Sequence, residues 1–267
     1  MSDIKEIHLH AECAQIAYLD PKEAKPKFKK LGLKVNSYYD IDGAQAYLLT
    51  NKDRSILAFR GTEPKEKSDI FADLNALRDP EPTGGRVHQG FQGEVDKLWP
   101  EITKDLLTAK INTNLTVCGH SLGAAMATIA AGRLHCQLVN TNCDFKELYT
   151  FGSPRVGNRQ WLKHVEGMIH HRCVNNNDLV PKVPPALMLY KHQGNLVYFN
   201  CYGSIRKTTM WQRFKDQIRG RRRALQKGQP FDGIYDHVMT EYIRSIDTNL
   251  TEVIKPQHKA AFLFGVL

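Results

Sequence analysis

Gly119-His120-Ser121-Leu122-Gly123 is a complete G-x-S-x-G run. The chemistry such a run can support is nucleophilic attack by a serine hydroxyl. A serine there sits on a sharp, strained turn from a strand into a helix. The flanking glycines let neighbouring chain pass closely, and Oγ stands at a helix N-terminus, where the dipole favours developing negative charge. At ~7% for each residue type, the Gly, Ser, Gly triple arises by chance about 0.1 times in a chain of this length. The flanks fit the requirement. Leu115 to Cys118 reads as a short buried strand, and Ser121 to Leu134 as a helix of small residues. The plain alternative is a Gly-Ser turn without chemistry.

A serine is a poor nucleophile without a base. In strand–turn–helix sites the partners follow in the order Ser, Asp or Glu, His. Of eleven histidines, His192, His237 and His258 follow a plausible acid. His192 lies inside an expected hairpin and reads as structural. His258 lies in a Lys-rich tail. His237 follows Tyr235-Asp236 and opens an amphipathic helix, which suits a general base. The acid belongs at the C-terminal end of a strand. Asp178 follows the run Cys173-Val174-Asn175-Asn176-Asn177 and precedes a proline-stiffened loop. Asp144 precedes its strand, and Asp236 reads as a surface or hairpin carboxylate. Acyl transfer also needs an oxyanion hole. The backbone N–H of Leu122 supplies one donor by position. Thr62, closing the turn Phe59-Arg60-Gly61-Thr62 after a strand, can offer N–H and hydroxyl, or simply cap the turn.

The elements that must position these groups follow from periodicity. The pattern predicts a short helix over 10–20, an exposed Lys-rich loop around Pro21 and Pro26, and strands at Ala44 to Thr50 and Ser55 to Phe59. A helix runs through Val95 to Leu107, with Pro100 marking a kink or start. Further strands lie at Leu148 to Phe151 and Arg172 to Val174. A hairpin at Gly194-Asn195 joins Leu187–Tyr190 to Leu196–Phe199, and a helix starts near His237. Strands alternating with helices imply an α/β fold with a mostly parallel sheet. With no repeat and no linker, residues 1–267 read as a single domain carrying a basic insert at about 204–227.

Composition narrows the function classes. The 267 residues are 42% hydrophobic and 24% charged, so disorder is excluded as the main state. No stretch resembles the roughly 20 apolar residues of a membrane span. The start, Met-Ser-Asp-Ile-Lys-Glu-Ile-His, shows no signal peptide. At face value this places the chain in the cytoplasm, with export lacking a cleavable signal as the alternative. The six cysteines form no C-x-x-C pair, so zinc and thioredoxin-type sites are not expected and buried thiols are. Neither a metal nor another cofactor is expected.

The motifs resemble those of the class 3 lipases, the fungal-lipase-like branch of the α/β-hydrolases. The matching segments are Phe59-Arg60-Gly61-Thr62, Ala72-Asp73-Leu74, Val87 to Phe91, Gly119 to Gly123, Phe151 to Asn158, and Asn177 to Pro181 with Pro184-Pro185. They keep the family's order over some 70% of the chain, from about Ala44 to His237. The resemblance implies an α/β-hydrolase fold, Ser121, Asp178 and His237 as triad, and Thr62 with Leu122 as oxyanion hole. It also implies a lid after Thr62, including Ile70 and Phe71. His88 and Arg155 belong to its structural motifs. Two departures stand out. Ala124 replaces a second glycine after the elbow, and the lid stretch Glu63 to Phe71 is charged, with Phe71 its only aromatic residue. Less apolar area, at ~25 cal/mol/Å², means a weaker drive to open at an oil surface.

The net charge of +9 is local. Between Ser204 and Lys227, nine basic residues stand against one acid, Asp216. Trp211, Phe214 and Ile218 recur at helical spacing among them. One reading is an interfacial helix on anionic lipid, with Trp211, Phe214, Arg221, Arg222 and Arg223 as contacts. The other is a solvated helix whose apolar stripe packs on the body, with Gly220 interrupting or ending it. The apolar end, Ala260 to Leu267, would dock on the body or meet a partner. The expected function is therefore a lipid carboxyl-ester hydrolase acting on triacylglycerol, with a lipid ester as substrate and peripheral contact with a lipid surface. Phospholipase A1 is the runner-up and a phenolic-ester esterase the third. A catalytically inactive lipid-binding module is the alternative of another class. Nucleic-acid binding is not expected, because basicity is confined to one segment.

Overall fold

Ser55–Phe59 is buried throughout, and its neighbours in space are nearly as apolar, so the sequence places this strand deep in a sheet covered on both faces. The computed structural model describes residues 3–61, 77–108, 114–136, 144–226, 228 and 232–261. Its strands are β1 (Lys34–Ile41), β2 (Ala44–Thr50), β3 (Ser55–Phe59), β4 (Arg78–Pro80), β5 (Arg86–His88), β6 (Asn114–His120), β7 (Asp144–Phe151), β8 (Gly157–Asn158), β9 (His170–Asn175), β10 (Tyr190–Lys191) and β11 (Asn195–Phe199). The helices are α1 (Ile4–Ile16), α2 (Pro21–Lys30), α3 (Gln89–Thr108), α4 (Leu122–His135), α5 (Arg159–His164), α6 (Met210–Gln226), α7 (Asp232–Tyr235) and α8 (Met239–Ala261).

Seven strands form the main sheet in the order β1-β2-β3-β6-β7-β9-β11. The pairs from β3 to β11 are parallel, while β1, β2 and β3 pair antiparallel at one edge. Alternation sends Leu57 and Phe59 to a core under α3 and α4. Ile56 and Ala58 face a second core under α1, α2 and α8. The carboxyl ends of β6, β7 and β9 therefore open on one side of the sheet, where loops can carry functional groups. Among the described residues no helix is long and apolar enough to cross a membrane.

Several expectations need correction. Pro21 to Lys30 is helix, not loop. Pro21 occupies the first turn, where its missing N–H costs nothing. Ala24 and Phe28, one turn apart and fully buried, hold the helix despite Pro26. Pro100 likewise lies within α3 without ending it. The first helix begins at Ile4, capped by Asp3, and β1 has no counterpart among the expected strands. The segments flanking Gly194 do not form a hairpin. β10 pairs with β8 in a small second sheet, while β11 joins the main sheet parallel to β9. The chain end from Phe262 lies outside the described residues.

Candidate active site

β6 delivers the chain to Ser121, whose φ of 58° and ψ of −126° lie where L-residues rarely settle. Such strain costs on the order of 1–3 kcal/mol and persists only where the surroundings impose it. Here Ser121 N–H donates to the Phe151 carbonyl at 3.0 Å, fastening the turn to the end of β7. The glycines allow close passage. A Cβ at Gly119 would sit 2.3 Å from the Gly123 carbonyl oxygen, and one at Gly123 would sit 2.5 Å from that of Phe59. The turn thus lifts a serine to the mouth of the sheet, as the spacing predicts.

Three sequence-predicted residues meet there. His237 Nε2 lies 2.8 Å from Ser121 Oγ, and His237 Nδ1 lies 2.9 Å from Asp178 Oδ2. All three are buried. With Nδ1 donating to the carboxylate, Nε2 is left to accept the serine proton. Asp178 Oδ1 also accepts from Val180 N–H at 2.9 Å, which fixes the carboxylate's direction.

Tyr242 on α8 donates to Asp178 Oδ2 at 2.5 Å while accepting from Asn175 N–H at 3.1 Å. Burial first, then the Asp178 charge, push its phenol well above the ordinary value of 10, so it remains a donor. In the sequence Tyr242 is one more member of an apolar stripe. His120 is the variable residue of the motif, yet its Nε2 lies 2.7 Å from the His237 carbonyl and its Nδ1 2.8 Å from Tyr18 Oη. Burial, then His237, push His120 down to about 3, so its ring is neutral. The carbonyl can only accept, which puts the proton on Nε2 and leaves Nδ1 to accept from Tyr18. The His120 and His237 rings stack with centroids 4.6 Å apart. Asp236 is no mere surface carboxylate. Its Oδ2 accepts from Asn177 N–H at 2.9 Å and its carbonyl from Asn175 Nδ2 at 3.0 Å, tying the histidine's segment to the acid's. Gly152 has φ +59°, and a Cβ there would lie 2.8 Å from both Asp178 Oδ2 and His237 Nδ1.

Leu122 is the first residue of α4 and half-buried, so its N–H is among those a helix leaves without an internal partner. Thr62, Ile70 and Phe71 lie outside the described residues. Gly61 is described. A Cβ on it would lie 2.7 Å from the His120 carbonyl oxygen, so the turn leading to Thr62 packs against the serine turn. The other histidine candidate with a described side chain is elsewhere. His192 Nε2 lies 2.8 Å from the Pro181 carbonyl, and burial holds its ring well below the usual range. Asp144 opens β7 at the end away from Phe151. Among the described residues no group of three or more His, Cys, Asp or Glu could hold a metal ion. The five described cysteines are free thiols.

α6 corrects two expectations. Gly220 does not interrupt it, and its apolar stripe does not pack on the body. The helix seats instead through Asp216, Gly220 and Ala224. A Cβ at Gly220 would lie 2.1 Å from Asn176 Nδ2, so glycine lets α6 cross the acid's loop. Asn177 Nδ2 donates to the Gln217 carbonyl at 2.9 Å, securing that crossing. Trp211 and Phe214 are 63% and 51% exposed. Arg221 and Arg222 are also exposed, and Arg223 lies over the Tyr202 ring at 4.4 Å.

Comparison with known proteins agrees with this geometry. Residues 56–188 match the family described as Lipase (class 3). The toxin TseL of Vibrio cholerae is 31% identical over 57% of this chain and 30% of its own length. A secreted mono- and diacylglycerol lipase of Malassezia globosa is 33% identical over 54% of this chain and 51% of its own. Lipase II from Rhizopus niveus superposes with a TM-score of 0.62 at 25% identity, covering 73% of this chain and 80% of that one. The chain spans only about a third to a half of the length of the two sequence relatives. The α/β-hydrolase sheet, the strained serine turn and the matched segment agree, and the chain belongs to the class 3 lipase family.

Proposed function

We propose that the protein hydrolyses carboxyl esters of lipids, with triacylglycerol as its main substrate, through Ser121, His237 and Asp178. The observation that carries this reading is the continuous hydrogen-bonded path from Ser121 Oγ through His237 to Asp178. Ser121 attacks the ester carbonyl while His237 takes its proton, and Asp178 stabilises the imidazolium. The Leu122 N–H and Thr62 hold the oxyanion. Losing one such donor typically costs ~2.7–4 kcal/mol of barrier. The alcohol leaves with the proton from His237, and water then releases the fatty acid from the acyl-enzyme. The charged stretch from Glu63 to Phe71 acts as the lid and gives weak activation at an oil–water interface.

A second reading is phospholipase A1 action on anionic phospholipid, favoured by the outward basic helix beside the acid's loop. Fatty-acid release from emulsified triacylglycerol and from anionic phospholipid vesicles separates the two. Release mainly from the emulsion, absent in Ser121→Ala, supports the lipase reading. Release mainly from vesicles moves the assignment to the phospholipase. No release from either, with the chain still bound to lipid, identifies the inactive binding module.

A further inference from the structure

α6 is seated inside out. Its inner face is small or polar. Asp216 accepts from Tyr198 Oη at 2.9 Å and from the Cys201 N–H at 3.0 Å, and Gly220 and Ala224 complete the contact. The large apolar side chains lie toward the other side, with Phe214 at the edge, where it also reaches a cavity beneath the first turns. At ~100° per residue, Phe214, Leu225, Ile218 and Trp211 fall within about 60° of arc on the outer side, and all four are exposed. Arg221 flanks one edge of this stripe, and Arg222 and Lys215 flank the other. The Trp211 and Phe214 rings stack with centroids 5.5 Å apart, and Lys215 Nζ lies 5.2 Å from the Trp211 ring centre. α6 carries six basic residues and one acid, and that acid is the buried Asp216. The outer face of the helix is therefore purely basic and apolar.

Beneath the first turns lies a cavity of about 270 Å³ whose lining includes Arg172, Lys182, Arg213, Met210 and Phe214. Arg172 Nε is buried without a hydrogen-bond partner. Burial, then the nearby Arg213, push its guanidinium down to about 10. Among the described residues Asp178 is the only carboxylate on the cavity wall, and both its oxygens are engaged by His237, Tyr242 and Val180. An anionic group entering from the α6 side would meet the Arg172 and Arg213 guanidinium groups.

We propose that α6 is a docking helix for an anionic lipid surface: Trp211, Phe214, Ile218 and Leu225 enter the interface, and Arg221, Arg222 and Lys215 meet the phosphate headgroups. Charge complementarity selects this occupant, because an uncharged protein partner would leave the two basic margins unpaired. The arrangement is that of helices lying in the headgroup plane, with an apolar face flanked by Lys and Arg. Docking deepens the proposed lipid hydrolysis by bringing the acid's loop, which α6 crosses, to the lipid. It does not depend on turnover, so the two readings can fail separately.

The test is flotation of the full-length chain with phosphatidylcholine vesicles, with and without phosphatidylserine, run on wild type, Trp211→Ala/Phe214→Ala and Arg221→Gln/Arg222→Gln. Hydrolysis of a soluble short-chain ester checks that each variant is folded and reports catalysis independently. The proposal predicts binding to the anionic vesicles that falls with salt and drops roughly tenfold or more in the Arg variant. It also predicts a blue-shifted Trp emission on binding that is absent in the aromatic variant. Equal binding to neutral and anionic vesicles, or binding unchanged in both variants, overturns it. So does a lipid-free dimer abolished by the aromatic change, which would make the stripe an interface between copies. Tighter salt-dependent binding to DNA than to vesicles overturns it as well.

Discussion

The loop carrying Asp178 links the buried triad to α6 through Asn176 and Asn177, yet the two regions treat their side chains in opposite ways. Around Ser121 the proposed reacting groups are enclosed, and each is held by another: His237 by Asp178 and the His120 ring, Asp178 by Tyr242 and Val180. On α6 the polar anchor is inside and the large apolar groups are outside. Chemistry demands fixed geometry, so the first region converts buried polar groups into a rigid frame. The second region leaves its apolar area exposed, where another phase can take it up. Burial thus marks the proposed reacting groups, whereas the direction of an amphipathic face marks the proposed contact surface.

The largest expected effect breaks the enclosed region. Gly152→Ala places a Cβ 2.8 Å from both Asp178 Oδ2 and His237 Nδ1 at a residue with φ +59°. Displacing either group by a fraction of an ångström is expected to lower kcat/KM on a soluble ester by about 100-fold or more. Unchanged kinetics would show that the frame yields without loss.

Acid sharpens the same contrast through stability. Burial pushes His10 down to about 4 and His120 and His170 to about 3. The unfolded chain binds these protons below about 6.5, so between the two values it holds more protons than the native state. Stability is then full above about pH 6.5 and is lost as pH falls, by about 2 kcal/mol for each ring at pH 5. Urea midpoints at pH 7 and pH 5 measure this. A midpoint independent of pH across that window would contradict it.

Tyr242→Phe removes the hydroxyl that donates to Asp178. A hydrogen bond to a charged group is worth about 1.5–3 kcal/mol, so kcat is expected to fall by about tenfold or more. KM is expected to stay unchanged, whereas a purely structural tyrosine would lower stability and leave kcat in place.

The smallest effect belongs to the outer face of α6. Trp211→Ala/Phe214→Ala should change stability by no more than about 0.5 kcal/mol and leave soluble-ester hydrolysis intact. Gly220→Ala on the inner face should lower both, since its Cβ would meet Asn176 Nδ2 at 2.1 Å. Equal effects on the two faces would erase the distinction.

How much of this was legible depends on the range of the interactions involved. Ser121, Asp178 and His237 could be read because chain order and position after a strand constrain them locally. The strands β2 and β3 could be read because they are apolar on both faces. Tyr242 and His120 could not, since their roles come from partners 64 and 117 residues away. The α6 stripe could be recognised but not oriented. Periodicity says that a face exists, while the packing of Gly220 on Asn176 decides which side turns inward. In the sequence α2 reads as a loop because its two prolines outweigh Ala24 and Phe28, one turn apart and buried.

In the proposed mechanism Ser121 is a nucleophile activated by His237. The most direct test is stoichiometric reaction of the intact chain with an alkyl p-nitrophenyl phosphonate, located by peptide mass spectrometry. One adduct is expected, on Ser121, absent in Ser121→Ala and formed about 1000-fold or more slowly in His237→Ala. An adduct on another residue, or an equal rate in His237→Ala, would contradict it.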